Sequence, residues 1–139
     1  NEGLLNNFDG TIVGEGVFTK RGLGILNFSG SNHSTGATRV EEGVLLANGY
    51  FASDVSVLPA SRLGGSGRIN GSLNNEGIVS PGNSIGTLTV NRYAQSKDGV
   101  LELEDFSFII VCIQWSLEIN LNVFYERRNF HKLLNCHRN

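Results

Sequence analysis

Apolar and polar residues alternate in short runs along the first hundred residues of the chain. Residues 87–90 (TLTV) and 100–103 (VLEL) place every second side chain on one apolar face, and residues 25–28 (ILNF) form a run of the same length. Alternation with a period of two predicts short β-strands that each bury one face. Before residue 105 no stretch keeps an apolar period of 3.6 residues, so the pattern predicts no helix there.

Turn-forming residues separate these predicted strands. Clusters of Gly, Asn and Ser occur at residues 29–32, 47–49 and 74–77, and such residues tolerate the left-handed backbone conformations of tight turns. A Gly-x-[Leu/Ile] unit begins at Gly3, Gly10, Gly24, Gly43, Gly67, Gly86 and Gly99, and from Gly24 its intervals are 19, 24, 19 and 13 residues. A loose period near 20 with short strands indicates a parallel β-solenoid, in which each coil stacks on the one before.

The composition changes abruptly near residue 100. All 18 glycines lie at or before Gly99, whereas Cys112, Trp115 and Cys136 lie after it. We therefore predict two regions, a β-solenoid segment at residues 1–104 and a tail of different origin or role at residues 105–139. The chain contains no Met and begins with Asn1, which predicts a fragment or a processed product.

Two motifs carry a family resemblance. Residues 19–32 (TKRGLGILNFSGSN) and 35–45 (TGATRVEEGVL) resemble the passenger-associated repeat of bacterial autotransporters, which runs roughly T-K-x-G-x-G-T-L-x-L-S-G-x-N-T-Y-T-G-x-T-x-V-x-x-G-x-L. Residues 65–71 (GSGRING) and 81–95 (PGNSIGTLTVNRYAQ) resemble the pertactin-like end region of the same passengers. Residues 32–34 (NHS) and Arg92 depart from the family pattern without disturbing an apolar alternation.

This resemblance implies a right-handed parallel β-helix that is part of an exported passenger. The implied role is non-enzymatic and structural: the segment would support export and folding of a surface or secreted virulence protein. Its implied partner is a C-terminal translocator barrel of the same protein, and its location is the bacterial cell surface, the outer membrane or the medium. The alternative is an adhesin segment that binds ligands of a host or neighbouring cell, for which Tyr50 and Phe51 are the candidate contacts.

An enzymatic alternative comes from residues 82–86 (GNSIG), which match the G-x-S-x-G pattern of a hydrolase nucleophile elbow. Asp98, Asp105 and His131 follow Ser84 in the chain order that such hydrolases use. The elbow requires a helix after the serine, whereas the threonines of residues 87–90 favour a strand. We therefore interpret Ser84 as a turn residue and predict no catalytic site. A polysaccharide lyase would need an acid and a base on neighbouring coils, and the sequence shows no such pair.

Other candidate sites are weak, and we predict no cofactor and no metal. Glycine pairs at 14/16, 22/24 and 65/67 lack the Gly-Lys-[Ser/Thr] continuation of a phosphate loop. The possible metal ligands Cys112, His131, Cys136 and His137 match no zinc spacing, and a disulfide between the two cysteines stays open. Sequons at 27–29, 32–34 and 70–72 are interpreted as turn asparagines. A net charge of −2 and a pI near 5.9 indicate no nucleic-acid partner.

The tail allows two interpretations. Its composition favours a frameshifted or otherwise unrelated end, whereas the alternation over residues 115–123 (WSLEINLNV) favours a strand that covers the open end of the solenoid. Residues 106–124 approach the length of a bilayer span, but four polar or charged residues interrupt the apolar run. We therefore predict no membrane insertion of this segment.

Overall fold

The structure is a computed structural model that describes residues 4–81, 87–103, 109–115, 123–125 and 134–138, with side chains at 4–81 and 87–102. Seventeen strands and no helix occur in this part of the chain, as the alternation predicted. The strands are β1 (Leu5–Phe8), β2 (Thr11–Ile12), β3 (Phe18–Lys20), β4 (Ile25–Phe28), β5 (Ser31–Asn32), β6 (Thr38–Val40), β7 (Gly43–Ala47), β8 (Tyr50–Phe51), β9 (Val55–Val57), β10 (Ser61–Gly65), β11 (Arg68–Asn75), β12 (Ile78–Pro81), β13 (Thr87–Gln95), β14 (Val100–Leu103), β15 (Ile109–Trp115), β16 (Val123–Tyr125) and β17 (Leu134–Arg138).

All strand pairings among the described residues are parallel, and each of the first three coils contributes strands to three columns. The first sheet runs β1-β4-β7-β10-β12-β14-β16, and the second runs β2-β5-β8-β11-β13-β15-β17 with β3, β6 and β9 branching from β11. In the fourth and fifth coils, β11 and β13 each cover both columns of the second sheet. This arrangement confirms the predicted parallel β-solenoid, with about five turns.

The lengths of the coils differ from the intervals of the glycine repeat. Residues in register along the first sheet are Leu5, Ile25, Val44, Arg62, Ile78 and Val100, which gives intervals of 20, 19, 18, 16 and 22 residues. These values agree with the predicted period near 20. The glycine intervals of 24 and 13 are not coil lengths, because Gly43 begins and Gly99 precedes a strand of the first sheet, whereas Gly67 precedes a strand of the second. The repeat unit therefore occurs at two corners of the coil, and counting it as one series mixes them.

The predicted turn clusters do not contain the left-handed backbone conformations that their residues led us to expect. Positive φ occurs at Gly14, Gly22, Gly43, Gly65 and Ala60, and none of these lies in the clusters at 29–32, 47–49 or 74–77. In those clusters glycine permits close stacking instead, because a Cβ on Gly49 would overlap the carbonyl oxygen of Gly30 in the preceding coil. Ser31–Asn32 and the end of β11 are also strands rather than turns.

Aliphatic side chains form the core under the first sheet. Leu26, Leu45, Leu63, Val79 and Leu101 lie in register, and the last four are fully buried. Leu88 of the second sheet is also fully buried, which confirms the face assigned from the alternation. Each such side chain packs between its neighbours in the coils before and after, so burial accumulates along the stack.

Aromatic side chains fill the first three coils. Phe28 packs against Phe8, Phe18 and Phe51 with ring centroids 5.0, 5.7 and 4.7 Å away. Such pairs add about 0.5–1.5 kcal/mol each beyond their area burial. The later coils carry aliphatic residues and Tyr93 in the corresponding interior.

Strands are also described in the tail. β15 pairs in parallel with β13, β16 with β14, and β17 with β15. The predicted strand at 115–123 begins at the last residue of β15 and ends at the first of β16, and residues 116–122 lie outside the described part. The frameshift interpretation stays a prediction, which the nucleotide sequence tests. No helix long and apolar enough to cross a membrane occurs among the described residues.

Candidate functional site

One interior position recurs at the same corner of the first five coils, and we call it the corner column. It consists of Lys20, Val40, Val57, Asn75 and Gln95, which lie in register and end β3, β6, β9, β11 and β13. All five residues are buried. At this corner the chain leaves the second sheet and turns towards the first, so several backbone carbonyls lie within hydrogen-bonding distance of buried side-chain donors.

Lys20 satisfies these carbonyls in the first coil. Its ammonium nitrogen donates to the carbonyl oxygens of Arg21 at 3.0 Å, Gly22 at 2.7 Å and Glu42 at 3.2 Å. An ammonium group has three donors, so all three are used. Because burial removes water from the charged group, the pKa of Lys20 lies below its ordinary value, and the charge of Glu42 opposes this shift.

The Glu42 contact joins two coils, and Gly43 makes it possible. Gly43 has a φ of 70°, and a Cβ there would lie 2.9 Å from the Lys20 ammonium nitrogen and would overlap the Gly22 carbonyl oxygen. The sequence repeat contains a T-K-x-G segment at residues 19–22 and a V-x-x-G segment at residues 40–43. These two segments therefore stack directly on each other in adjacent coils. β3 pairs with β6 and β4 with β7, so residues 18–47 contain one coil together with its own stacking interface.

Surface charges reinforce the same corner. Glu41 accepts a hydrogen bond from Arg21 Nε at 2.8 Å, and Arg39 Nε lies 3.5 Å from its other oxygen. The Arg21 hydrogen bond is the main reason that the pKa of Glu41 lies below its ordinary value. These groups are exposed to solvent, which screens them, so they orient the corner more than they stabilise it.

A neutral network occupies the corner column at the other end of the described solenoid. Asn75 Nδ2 donates to Tyr93 Oη at 3.1 Å and to the carbonyl oxygen of Val100 at 2.8 Å, and Asn75 Oδ1 accepts from Gly77 N at 3.0 Å. The Tyr93 hydroxyl donates to Gln95 Oε1, and Gln95 Nε2 donates to the Gly99 carbonyl at 3.0 Å. Burial raises the pKa of Tyr93, which is 1% exposed.

Two valines occupy the corner column between these polar ends. At Val57 the donor comes from Ser61, whose hydroxyl oxygen lies 2.7 Å from the Leu58 carbonyl oxygen and 2.8 Å from that of Val40. Among the described residues no buried side-chain nitrogen or oxygen lacks a partner. The side-chain donors of this corner are thus Lys20, Ser61, Asn75 and Gln95, and the coil of Val40 uses those of Lys20 and Ser61 from its neighbours.

The outer face contains the residues of the adhesin hypothesis. The prediction of Phe51 as a surface contact was wrong. Side chains alternate between the two faces of β8, and Phe51 lies on the buried face, where it is 1% exposed. Tyr50 is half-buried on the outer face and packs against His33, with ring centroids 5.2 Å apart. Exposed Arg68 lies in register with Tyr50 on the adjacent strand.

Most residues of the hydrolase alternative lie outside the described part of the chain. Ser84, Asp105 and His131 lie outside the described residues, and Asp98 lies exposed in the turn before β14. The backbone register pairs Cys112 with Cys136 on β15 and β17, and His137 also lies on β17. Across the residues with described side chains, no three His, Cys, Asp or Glu side chains converge as a metal site would require.

Sequence reasoning missed the corner column. A signal existed, because Lys20, Asn75 and Gln95 stand in the apolar phase of an alternating run and two of them precede a glycine by two residues (K-R-G and N-E-G). A polar residue in the buried phase of a strand requires an internal partner. Backbone carbonyls at a turn are the nearest candidates.

Known proteins match this chain over its repeat and beyond. Residues 18–47 match the passenger-associated-transport-repeat family. "Adhesin BmaC autotransporter" of Brucella suis biovar 1 (strain 1330) is 40% identical over 102 residues, which are 73% of this chain and 3% of that protein. "Extracellular serine protease" of Serratia marcescens is 38% identical over 86 residues, which are 61% of this chain and 8% of that protein. No solved structure matches the chain.

The stacked coils and their corner column define the chain as a parallel β-solenoid built from coils of 16 to 22 residues. The repeat match and the two relatives then show what the chain is similar to: it carries the passenger-associated repeat and resembles autotransporter passengers. These relatives agree with the predicted location at the bacterial cell surface, the outer membrane or the medium. The chain spans less than a tenth of the length of these curated relatives.

Proposed function

We propose that this segment is a non-enzymatic structural part of its passenger, which supports export by folding coil upon coil against an adjoining coil. The observation that carries the proposal is the repeat at residues 18–47, which is longer than one coil and includes its own stacking contact. Each completed coil presents a row of backbone donors and acceptors on which the next coil can pair. A translocator barrel of the same protein is the partner that this role requires.

Export of matched variants tests the structural role. The chain would be placed ahead of an autotransporter translocator barrel, and its exposure on the cell surface would be measured by protease shaving. Leu88→Asp buries an unpaired charge and should abolish both folding and efficient display. Thr89→Asp, on the outer face of the same strand, should preserve both. Equal display of the two variants would show that export does not depend on folding of this segment.

The absence of catalysis is tested separately. A fluorophosphonate probe labels activated serines, and the purified chain should show no labelling that Ser84→Ala removes. Ser84→Ala should also leave surface display unchanged and alter stability by less than about 1 kcal/mol. Labelling that depends on Ser84 would restore the hydrolase alternative.

Ligand binding is a second candidate function, favoured by the patch of His33, Tyr50 and Arg68 on the outer face. An exposed aromatic ring beside a guanidinium group is a common contact in protein recognition. Binding of the displayed chain to host cells should fall in the double variant Tyr50→Ser with Arg68→Ser and persist in Arg39→Ser. Unchanged binding by the double variant, with unchanged melting temperature, would exclude this patch as the contact.

A further inference from the structure

The chain contains two Asn-Gly pairs, Asn48–Gly49 and Asn70–Gly71. Glycine has no side chain, so its backbone nitrogen can approach the side-chain carbonyl carbon of the preceding asparagine with little hindrance. Attack at that carbon is the first step of spontaneous deamidation. Folded structure can permit or prevent this approach, and the two pairs differ in how firmly the solenoid holds them.

Asn48–Gly49 is held by three hydrogen bonds. Asn48 Nδ2 donates to Asn27 Oδ1 at 2.8 Å, and Asn48 Oδ1 accepts from Ser66 N at 2.9 Å. Gly49 N donates to the Phe28 carbonyl at 2.8 Å. For deamidation at Asn48, Gly49 N would have to break its hydrogen bond to the Phe28 carbonyl. The side-chain amide of Asn48 would also have to break its hydrogen bonds to Asn27 and Ser66.

Asn70–Gly71 lies where the strand pairing is interrupted. The pairing of β11 with β8 ends at Ile69 and that with β9 begins at Leu73, and the register with β13 shifts between Ile69 and Ser72. The exposed Asn70 side chain makes one hydrogen bond among the described residues, from Asn91 Nδ2 to Asn70 Oδ1 at 3.1 Å. Asp54 Oδ1 accepts from the N–H of Ser72, the residue after Gly71, at 2.8 Å.

We propose that Asn70 is a site of spontaneous deamidation, whereas Asn48 is protected by its coil. The Gly71 nitrogen forms a bond to Asn70 Cγ, the Cγ–Nδ2 bond breaks, and ammonia leaves with the proton of the Gly71 N–H. Water then opens the cyclic imide at either carbonyl, which produces aspartate or isoaspartate at position 70. The added carboxylate makes the net charge more negative than −2 at neutral pH. The outer face beside Arg68 thereby acquires an acidic group as the protein ages.

Incubation of the intact folded chain at mildly alkaline pH tests the proposal. Tryptic peptides 40–62 and 69–92 contain the two pairs, and mass spectrometry with fragmentation assigns the amide-to-acid change to a residue. Asn70 should convert at least about tenfold faster than Asn48, because release of several net hydrogen bonds slows the second site. An acidic isoform should appear on isoelectric focusing at the same rate and should be absent from Asn70→Ser.

Two controls tie the contrast to the structure. In urea both pairs should convert at similar rates, because the hydrogen bonds of Asn48 and Gly49 are lost. In folded Asn27→Ala, which removes the acceptor of Asn48 Nδ2, conversion at Asn48 should increase. Conversion of Asn48 as fast as Asn70 in the folded wild-type chain would overturn the proposal. The proposal would also be overturned if Asn70 stayed an amide in the folded chain but converted in urea. An unchanged rate of conversion at Asn48 in Asn27→Ala would contradict the protection assigned to its hydrogen bonds.

Discussion

The two ends of the corner column solve the same problem with different chemistry. At the first coil a buried ammonium group, that of Lys20, donates to three carbonyls of its own and the next coil. At the fourth and fifth coils two amides and a phenol, from Asn75, Gln95 and Tyr93, form a neutral network. The comparison shows that the solenoid corner requires hydrogen-bond donors for its carbonyls and does not prescribe which side chain supplies them.

The two solutions respond to pH in opposite ways. Burial lowers the pKa of Lys20, so the unfolded chain binds more protons there, and stability rises with pH from the folded pKa to the ordinary value. Burial raises the pKa of Tyr93, so the unfolded chain loses its proton first, and stability falls as pH rises above about 10. Charged and neutral corners can therefore be told apart by alkaline titration.

Among substitutions at the corner column, the largest effect is expected from Asn75→Leu. The substitution leaves the Gly77 N–H and the Val100 carbonyl without their partner and removes the donor to Tyr93. We expect a loss of about 3 kcal/mol or more in the free energy of unfolding, measured by urea denaturation. Asn74→Leu, the half-buried neighbour that faces outwards, is the matched control and should cost under about 1 kcal/mol. Equal losses would mean that the network is not what stabilises this corner.

A smaller effect is expected from Tyr93→Phe. The ring stays buried while Gln95 Oε1 loses its donor, so the loss should be about 1–2 kcal/mol at neutral pH. Because phenylalanine cannot ionise, the fall of stability above about pH 10 should become shallower than in the wild type. Urea denaturation at several alkaline pH values measures this slope. An unchanged slope would show that Tyr93 does not control the alkaline response.

Lys20→Met should cost less than either change. Methionine fills a similar volume, and the carbonyls that lose the ammonium belong to Arg21, Gly22 and Glu42, which are all exposed, so water can replace it. We expect a loss of about 1 kcal/mol at neutral pH, together with loss of the alkaline rise that the lowered pKa predicts. A cost as large as that of Asn75→Leu would mean that the Glu42 contact between coils dominates this corner.

The strands were largely predictable from the sequence, whereas the corner was not. Residues 87–90 lie in β13 with the alternating burial that a period of two predicts, and residues 25–28 and 100–103 coincide with β4 and β14. The period near 20 was also predictable, whereas the length of each coil was not, since Gly67 and Gly43 stand at different corners and only the paired register separates them. The place of Lys20 in the buried phase of β3 signals an internal partner, but that partner is a set of backbone carbonyls, which sequence alone does not identify.

Among the candidate surfaces, both Tyr50 and Phe51 were expected as contacts, although neighbouring residues of a strand point to opposite faces. One side chain faces outwards and the next is fully buried in the core. The stacking of Tyr50 on His33 was not predictable, because the residues are 17 positions apart and meet only through the coil register. The alternation of apolar and polar residues thus specifies which face of the strand a side chain occupies. The length of the coil specifies which residues of the adjacent coils lie beside it.

The smallest expected effect concerns the corner at Val57, which uses Ser61 as its donor. Residues 58–61 form a turn with a hydrogen bond from Ser61 N to the Leu58 carbonyl at 3.1 Å, and Ala60 has a φ of 69°. A non-glycine residue in the left-handed conformation costs about 1–2 kcal/mol, which glycine would relieve. Glycine also increases the entropy of the unfolded chain, which offsets part of this stabilisation. Ala60→Gly should therefore stabilise the chain by up to about 1 kcal/mol.

Ala52→Gly is the matched control for this substitution. Ala52 follows β8 and does not adopt positive φ, so glycine there brings the entropic cost without relief of strain. The two variants should shift the melting temperature in opposite directions. If Ala60→Gly destabilised the chain as Ala52→Gly does, the turn at 58–61 would not be strained. The Ser61 corner would then hold its carbonyls at no conformational cost, unlike the desolvated ammonium of Lys20 at the first corner.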